Sequence, residues 1–351
     1  MTIAPIDPVP DTAVAPVTHC VRLKFADTTK EIQVPEGISV LDAATAAGTR
    51  LVHQCGIGTC GTCVGRVSTG AVSMPEGRVY PLRGDEIADG MRLLCQAHAH
   101  GDAEVELDYP AAMLDDNPVV LTTVKLTELN WLADTVAELK VAVPKSVSFS
   151  FRAGQYVRLR VPGTDEWRSY SMASGERSKR RLAFTIRVLP QGAMSEYLRE
   201  RAAAGDELAM EGPLGSFGLS GQSGPILLLA GGTGLAPMLS ILESLQTVRD
   251  RAPIRLVFGC ARERDLFHLD ELDGRRSFMP NLSVRVTVDE PVERTDLVCG
   301  NPVDALTADD IAPDTSAYLC GPPAMLDAAH ARLQELGLPR ERIHSEQFLP
   351  S

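Results

Sequence analysis

The sequence predicts three domains in one chain: a small β-rich α+β domain, an antiparallel β-barrel and a doubly wound α/β domain. Three observations predict it. Short alternating strands flank a single helix in the first third. Turn-separated β segments fill the middle. Near residue 226 an apolar strand runs into a glycine turn and an amphipathic helix. A length of 351 residues asks for two or three domains on its own.

Composition narrows the class. The chain is 44% hydrophobic and 23% charged, enough for sizeable cores. Its net charge of -12 argues against nucleic acid or an anionic membrane as partner. The start, "MTIAPIDPVPDTAVAP", lacks both a basic n-region and an apolar h-region, so residues 1–17 are expected to be a disordered tail. The longest apolar run, "PILLLA", is far short of the roughly 20 residues that span a bilayer. The expectation is a cytoplasmic monomer with no nucleic-acid or membrane partner.

The first domain is expected over residues 18–112. "VRLKF" and "KEIQV" alternate as strands, "SVLDAATAAG" reads as a helix opening near Ser39 and closing before Gly48, and "AEVELDY" gives a further strand. Between helix and last strand sits "HQCGIGTCGTC". Four disulfides are unexpected for the eight cysteines of a cytoplasmic chain. The spacing Cys55-x4-Cys60-x2-Cys63 with a distant Cys95 is the plant-type [2Fe–2S] pattern. A structural zinc site usually offers two separate pairs, and no second pair surrounds Cys95; a zinc knuckle or a redox-sensing thiol loop is the alternative. Gly56, Gly58 and Gly61 let the backbone curl closely around a cluster. Main-chain N–H groups, with the hydroxyls of Thr59 and Thr62, can then point at cluster sulfurs. Cys20, at the edge of the first strand, reads as a bland thiol, buried or exposed. Residues 18 to about 110 resemble a plant-type ferredoxin domain, a β-grasp-like α+β fold. "MPEGRVYPLRGDEIADGMRLLCQ" shares the resemblance, with its short helix and turn before the last cysteine.

After "YPAAMLDDNP" the pattern changes. "VVLTTVKLTELN", "TVAELKVAV", "QYVRLRVP" and "LAFTIRV" suggest a small antiparallel barrel over 113–221. It contains "RSYS", Arg168 to Ser171, and later "GAMSEYLRERAAAGD", a helical pattern opening just after Gly192. Arg168 is a permanently charged fork suited to a pyrophosphate. The helix start at Gly192 to Ser195 offers N–H groups to the same phosphates. Taken singly, the arginine reads as a solvated surface residue and the Gly-x-x-Ser as a helix N-cap. In this order they resemble the FAD-binding barrel of the ferredoxin–NADP reductase superfamily. The resemblance implies that Arg168 contacts flavin phosphate, that Tyr170 lies against the isoalloxazine, and that Ser171 approaches its N5, with Ser169 between them. It also implies that Arg187 and Val188 line the flavin, and Gly192, Met194 and Ser195 its phosphates.

Residues 222–351 are expected to be the doubly wound domain. "GPILLLAGGTGLAPMLSILESL" is a strand, a tight glycine loop and a helix, the phosphate-cradling geometry of a βα turn in an open parallel sheet. "IRLVFGCARERDLF" and "SAYLCGPPAMLDAAHARLQELG" add two strands that end in polar or Cys-Gly-Pro-Pro loops. The set resembles the NAD(P) domain of the same superfamily. That implies nicotinamide contacts from Gly231, Gly232, Thr233, Gly234, Pro237, Cys320, Gly321, Pro322 and Met325. Cys320 would lie beside the nicotinamide without acting as a nucleophile, because hydride transfer needs no covalent step. In "EQFLP", Glu346 and Phe348 fall where the family keeps groups next to the flavin; a solvent-exposed tail is the alternative. Ser171, Cys320 and Glu346 are therefore the expected catalytic residues. The loop after "IRLVF" sets Arg262 and Arg264 against Glu263 and Asp265 and resembles that of NADH-using relatives, with Arg262 and Asp265 at the cofactor.

A hydride carrier moves electrons in pairs and a [2Fe–2S] cluster accepts one at a time, so a flavin is needed between them. The order ferredoxin, FAD, NAD resembles the one-chain reductases of two-component Rieske ring-hydroxylating dioxygenases, the benzoate and anthranilate 1,2-dioxygenase type. The resemblance implies three cofactors, a [2Fe–2S] cluster, FAD and NADH, and a Rieske-type terminal oxygenase as partner. Reductases of di-iron monooxygenases share the order and are the alternative, followed by a redox sensor without turnover. Asp85, Glu86 and Asp89, near Cys95, are candidates for steering a basic patch on the partner, with a solvated acidic helix as the alternative.

Overall fold

The computed structural model describes residues 17–347 apart from 54–55, 57, 59–60, 79, 83, 110, 112–118, 179, 220–223 and 247–251. The chain divides into two compact units, Met1–Asp115 and Asp116–Ser351.

The first unit is a mixed five-stranded sheet. Strands β1 (Thr18–Lys24), β2 (Thr29–Pro35), β3 (Val64–Thr69), β5 (Met91–Leu93) and β7 (Ala103–Glu106) run in the order β2-β1-β7-β3-β5. The short strands β4 (Val72–Ser73) and β6 (His98–Ala99) pair separately. β1 pairs antiparallel with β2 and parallel with β7, so Val21 and Leu23 on its inner face meet Ile32 and Val105. Helix α1 (Val40–Ala46) buries Val40, Leu41, Ala43 and Ala44 against this face. It starts at Ser39, whose hydroxyl accepts from the Asp42 N–H at 3.0 Å. Gly48, just past its end, takes the positive φ that closes a helix. A second, short helix α2 (Gly84–Ala88) precedes β5.

The second unit opens with six antiparallel strands. These are β8 (Val120–Ala133), β9 (Val136–Ala142), β10 (Tyr156–Arg160), β11 (Trp167–Ser171), β12 (Arg181–Arg187) and β13 (Glu207–Leu214), in the order β11-β10-β13-β8-β9-β12. A bridge between Met172 and Phe184 joins the two ends, and the Ala173 N–H donates to the Ala183 carbonyl at 2.7 Å, closing the barrel. Closure removes sheet edges. Its interior is filled by Val157, Leu159, Met172, Leu182, Phe184 and their neighbours. Helix α3 (Ala193–Glu200) buries Met194, Tyr197 and Leu198 at one side.

Six parallel strands follow: β14 (Ile226–Gly231), β15 (Ile254–Cys260), β16 (Leu282–Val288), β17 (Leu297–Cys299), β18 (Ser316–Gly321) and β19 (Ile343–Gln347). Their order is β17-β16-β15-β14-β18-β19. Helices α4 (Leu235–Gln246), α5 (Leu269–Phe278) and α6 (Pro323–Glu335) connect them. The order reverses between β14 and β18, which makes their carboxyl ends the switch point where ligands bind in such sheets. One apolar cluster contains Val136, Ala153 and Ala173 of the barrel segment together with Leu228, Leu239 and Tyr318 of the parallel sheet, and it holds the two architectures in one unit.

Candidate functional site

Two residues expected as cluster ligands, Cys55 and Cys60, lie outside the described residues, as does Phe348. The other two, Cys63 and Cys95, are buried on adjoining segments: the Leu94 N–H donates to the Cys63 carbonyl at 2.8 Å. The start of α1 holds the Cys95 segment in place. Its first N–H groups have no acceptor within the helix, and those of Leu41 and Val40 donate to the Leu94 and Ala97 carbonyls at 3.0 and 2.8 Å. Tyr109 ties down the other end of the cysteine loop, its hydroxyl accepting from the Val52 N–H at 3.2 Å while its ring packs edge-on against Phe25. Gly58 takes φ +87°, and a Cβ there would fall 2.7 Å from Gln96 Cγ. The positive φ favours glycine here, and the Gln96 side chain lies directly beneath it.

The barrel face brings the second set together. Arg168 and Tyr170 pair opposite Leu159 and Val157, so they share one face of the sheet, and Ser169 and Ser171 lie on the other. Arg168 donates through Nη1 to the Trp167 carbonyl at 3.1 Å and pairs with Glu166 through Nη2. In α3 the first intrahelical bond runs from the Glu196 N–H to the Gly192 carbonyl. The N–H groups of Ala193, Met194 and Ser195 therefore have no acceptor within the helix and suit a phosphate. The Ser195 hydroxyl accepts from the Leu189 N–H at 2.9 Å and fixes the turn that leads into the helix. Val188 is buried and donates to the Thr135 carbonyl at 2.8 Å. Gln155 Nε2 donates to the Gly215 carbonyl at 2.9 Å and holds the turn after β13.

At the switch point the glycine turn and the Cys-Gly-Pro-Pro loop touch. A Cβ on Gly234 would fall 2.2 Å from the Cys320 carbonyl, and Cβ atoms on Gly231 and Gly321 would fall 2.6 and 2.5 Å from the Met325 side chain. Pro237 sits in the first turn of α4, where its missing N–H costs no helical bond, and Pro322 precedes a proline at the first position of α6. The barrel reaches this turn: a Cβ on Gly232 would lie 3.8 Å from Arg187 Nη1. Thr233 lies in the same turn.

Ser171 and Glu346 close the arrangement. Both are buried, and the Ser171 hydroxyl donates to Glu346 Oε2 at 2.9 Å. Glu346 pairs across β18 and β19 with Cys320. Burial, reinforced by the Glu346 charge, pushes the Cys320 thiol well above its ordinary range. A raised thiol pKa delays formation of the reactive thiolate.

The loop after β15 places its residues differently from one another. Asp265 is buried, accepts from the Thr135 hydroxyl at 3.0 Å and has Arg262 Nε 3.3 Å from its other oxygen, so it pins the loop to the barrel. The groups facing outward at the strand ends are Glu263, Arg264, Glu290 and Arg294, around a cleft of ≈520 Å³. The Glu263 N–H donates to Glu290 Oε1 at 2.8 Å, and Arg294 reaches Glu263 at 3.5 Å and Asp296 at 2.5 Å. Sequence reasoning missed Glu290, Arg294, Thr135, Gln155 and Gln96, each of which acts across a contact distant in the chain. The one available signal was the strand end at Val288, which a parallel sheet turns into a site edge.

Comparison with known proteins agrees with this geometry. Three family profiles match: a 2Fe-2S iron-sulfur cluster binding domain over residues 23–100, an oxidoreductase FAD-binding domain over 123–218 and an oxidoreductase NAD-binding domain over 228–331. The chain is 33% identical over 338 residues to the anthranilate 1,2-dioxygenase electron transfer component of Acinetobacter baylyi, covering 95% of this chain and 98% of that one. It is 30% identical over 344 residues to the propane 2-monooxygenase reductase component of Rhodococcus jostii, covering 95% and 92%. The solved structure of the Amycolatopsis cytochrome P450 reductase GcoB is similar with a TM-score of 0.78 at 30% identity, covering 95% of this chain and 99% of that one.

Fold and site together define an oxidoreductase with three cofactors, a [2Fe–2S] cluster, FAD and NAD. The chain belongs to the family of one-chain flavin and iron–sulfur electron transfer components, within the ferredoxin–NADP reductase superfamily. Its fold is the β-grasp-like ferredoxin domain, antiparallel barrel and doubly wound α/β domain expected from the sequence. Among the described residues no helix is long and apolar enough to cross a membrane.

Proposed function

We propose that this protein passes electrons from NADH through FAD and a [2Fe–2S] cluster to the Rieske-type oxygenase of an aromatic ring-hydroxylating dioxygenase, as a cytoplasmic monomer. The observation that carries the reading is the meeting of Ser171, Glu346 and Cys320 beside the glycine turn reached by Arg187. It brings barrel residues against loops of the parallel sheet within one compact unit, which supports a flavin and a nicotinamide sharing that junction.

When bound, FAD accepts a hydride and releases electrons singly. The roles proposed for the chain are these. Cys55, Cys60, Cys63 and Cys95 ligate the cluster within a ferredoxin domain over 18–112. In the barrel domain, 113–221, Arg168 and the start of α3 hold the flavin phosphates, Tyr170 covers the ring, and Ser171 faces its reacting edge. In the nucleotide domain, 222–351, Gly231 to Gly234 and Cys320 to Pro322 leave room for the nicotinamide, and Glu346 holds the Ser171 hydroxyl. Two observations support these roles: the glycine turn and the Cys-Gly-Pro-Pro loop pack backbone to backbone at the switch point, and the helix start presents N–H groups without partners in the helix.

The cleft at the ends of β15 and β16 supports NADH as the donor. Of its two arginines, Arg294 is already matched by carboxylates of Glu263 and Asp296, and Glu263 and Glu290 disfavour a 2′-phosphate. The dioxygenase relatives favour a Rieske acceptor, and the propane monooxygenase reductases make a di-iron hydroxylase the second reading. The test is anaerobic reduction by NADH followed by mixing with purified oxygenases. Reoxidation of the reduced protein by a Rieske oxygenase is expected; reoxidation only by a di-iron hydroxylase selects the second reading.

A further inference from the structure

Gln96 follows Cys95 directly and turns its side chain back over it. Its Nε2 donates to the Cys95 carbonyl at 2.9 Å and stands 3.9 Å from Cys95 Sγ, within reach of a weak N–H···S bond. Its Oε1 accepts from Arg78 Nη1 at 2.9 Å. A guanidinium carries donors only, so this contact decides which end of the amide faces the cysteine: oxygen toward Arg78, nitrogen toward sulfur. The side chain is confined as well. It lies under Gly58 so closely that a Cβ there would fall 2.7 Å from Gln96 Cγ and 3.2 Å from Cδ, with the Tyr80 ring at 3.5 Å on the same side.

We propose that Arg78 and Gln96 form a positioning pair that aims an amide N–H at the Sγ of a cluster ligand and so raises the reduction potential of the cluster. Reduction adds negative charge that is shared by the ligand sulfurs. A donor held at one of them stabilises the reduced form more than the oxidised form, and hydrogen bonding to the sulfurs is one of the protein's levers on such potentials. Neither residue belongs to the cysteine motif, and Arg78 lies well before Cys95 in the chain. Their role follows from the hydrogen-bond geometry. The inference rests on Cys95 being a cluster ligand.

The experiment is a redox titration of the full holoprotein, followed by EPR of the reduced cluster. Gln96→Met removes the donor at similar volume. It is expected to lower the reduction equilibrium constant about threefold, which is ~28 mV at 59 mV per decade for one electron, with iron content unchanged. Gln96→Glu, whose carboxylate only accepts, is expected to shift in the same direction and carries the test if Gln96→Met assembles no cluster. Arg78→Met should lower the potential in the native background and less so beside Gln96→Met, whereas Arg78→Lys, still a donor, should recover most of it. A merely structural role would reduce cluster content without moving the potential of the clusters that remain. Unchanged potentials in both Gln96 variants, or an Arg78→Met shift of equal size in both backgrounds, would overturn the pair. Cys95→Ser separates the two levels. An unaltered EPR signal there defeats the ligand assignment itself, while a lost signal with unmoved Gln96 potentials defeats the pair alone.

Discussion

The Ser171 hydroxyl donates to Glu346 Oε2 at 2.9 Å across 175 residues of sequence, in a position buried from solvent. One partner ends a barrel strand and the other lies on the last strand of the parallel sheet. The bond therefore ties the barrel to the parallel sheet.

Ser171→Ala removes a donor from a buried carboxylate. A loss of about 1–3 kcal/mol in unfolding free energy is expected by urea titration, together with a roughly tenfold or greater drop in NADH-ferricyanide turnover. Unchanged turnover with lowered stability would leave the bond a purely architectural one.

Cys60→Ala should abolish cytochrome c reduction while leaving ferricyanide reduction, which flavin serves directly, largely intact. Visible and EPR spectra should show the cluster signal lost. Equal loss of both activities would contradict the order flavin before cluster.

Glu290 faces the cleft and accepts from the Glu263 N–H. Glu290→Gln should improve kcat/KM for NADPH relative to NADH by about tenfold, the size of one like-charge contact of ~1.4 kcal/mol. A native enzyme that prefers NADPH would refute the assignment of this cleft.

Thiol reactivity should follow burial. Burial pushes the Cys260 thiol up to about 12, with the Asp265 charge adding to it, and burial raises Cys320 further than its neighbour Glu346 does. Both remain protonated well above neutral pH, since a raised thiol pKa delays formation of the reactive thiolate. Iodoacetamide at pH 8 should modify exposed Cys299 in the native protein and spare Cys260 and Cys320, as read by peptide mass spectrometry. Rapid labelling of Cys320 would show that its buried site opens to solvent.

Asp310 governs an acid limb of stability. Its carboxyl is buried, which alone would raise its pKa, but bonds from Arg285, at 2.9 Å, and from the Thr307 N–H hold it below the usual carboxylate value. With the folded value depressed, the stabilisation is complete above the unfolded pKa of about 3.9 and is lost as pH falls through the lower folded value. Asp310→Asn should flatten the stability profile below about pH 4 and cost about 1.5–3 kcal/mol at pH 7, the size of hydrogen bonds to a charged group, because Arg285 and Arg255 lose their shared carboxylate.

The sequence by itself determined what is written locally. Cysteine spacing, the strand-to-glycine-turn pattern at Gly231 and the helix start at Gly192 each depend on a few neighbouring residues whose backbone preferences dictate their form. The order of the domains was legible for the same reason. Only the tertiary structure decided what those pieces do to one another. Asp265, expected at the cofactor from its place in a loop, is turned inward onto Thr135, and the outward carboxylates come from Glu263 and from Glu290, just past the end of the next strand. The hydroxyl of Ser171 meets Glu346, and Gln96 is oriented by Arg78, through contacts that no spacing announces. Strand order in a parallel sheet and closure of a barrel bring such residues together. Both are fixed by burial of apolar faces across the whole fold, so chain distance carries no record of them.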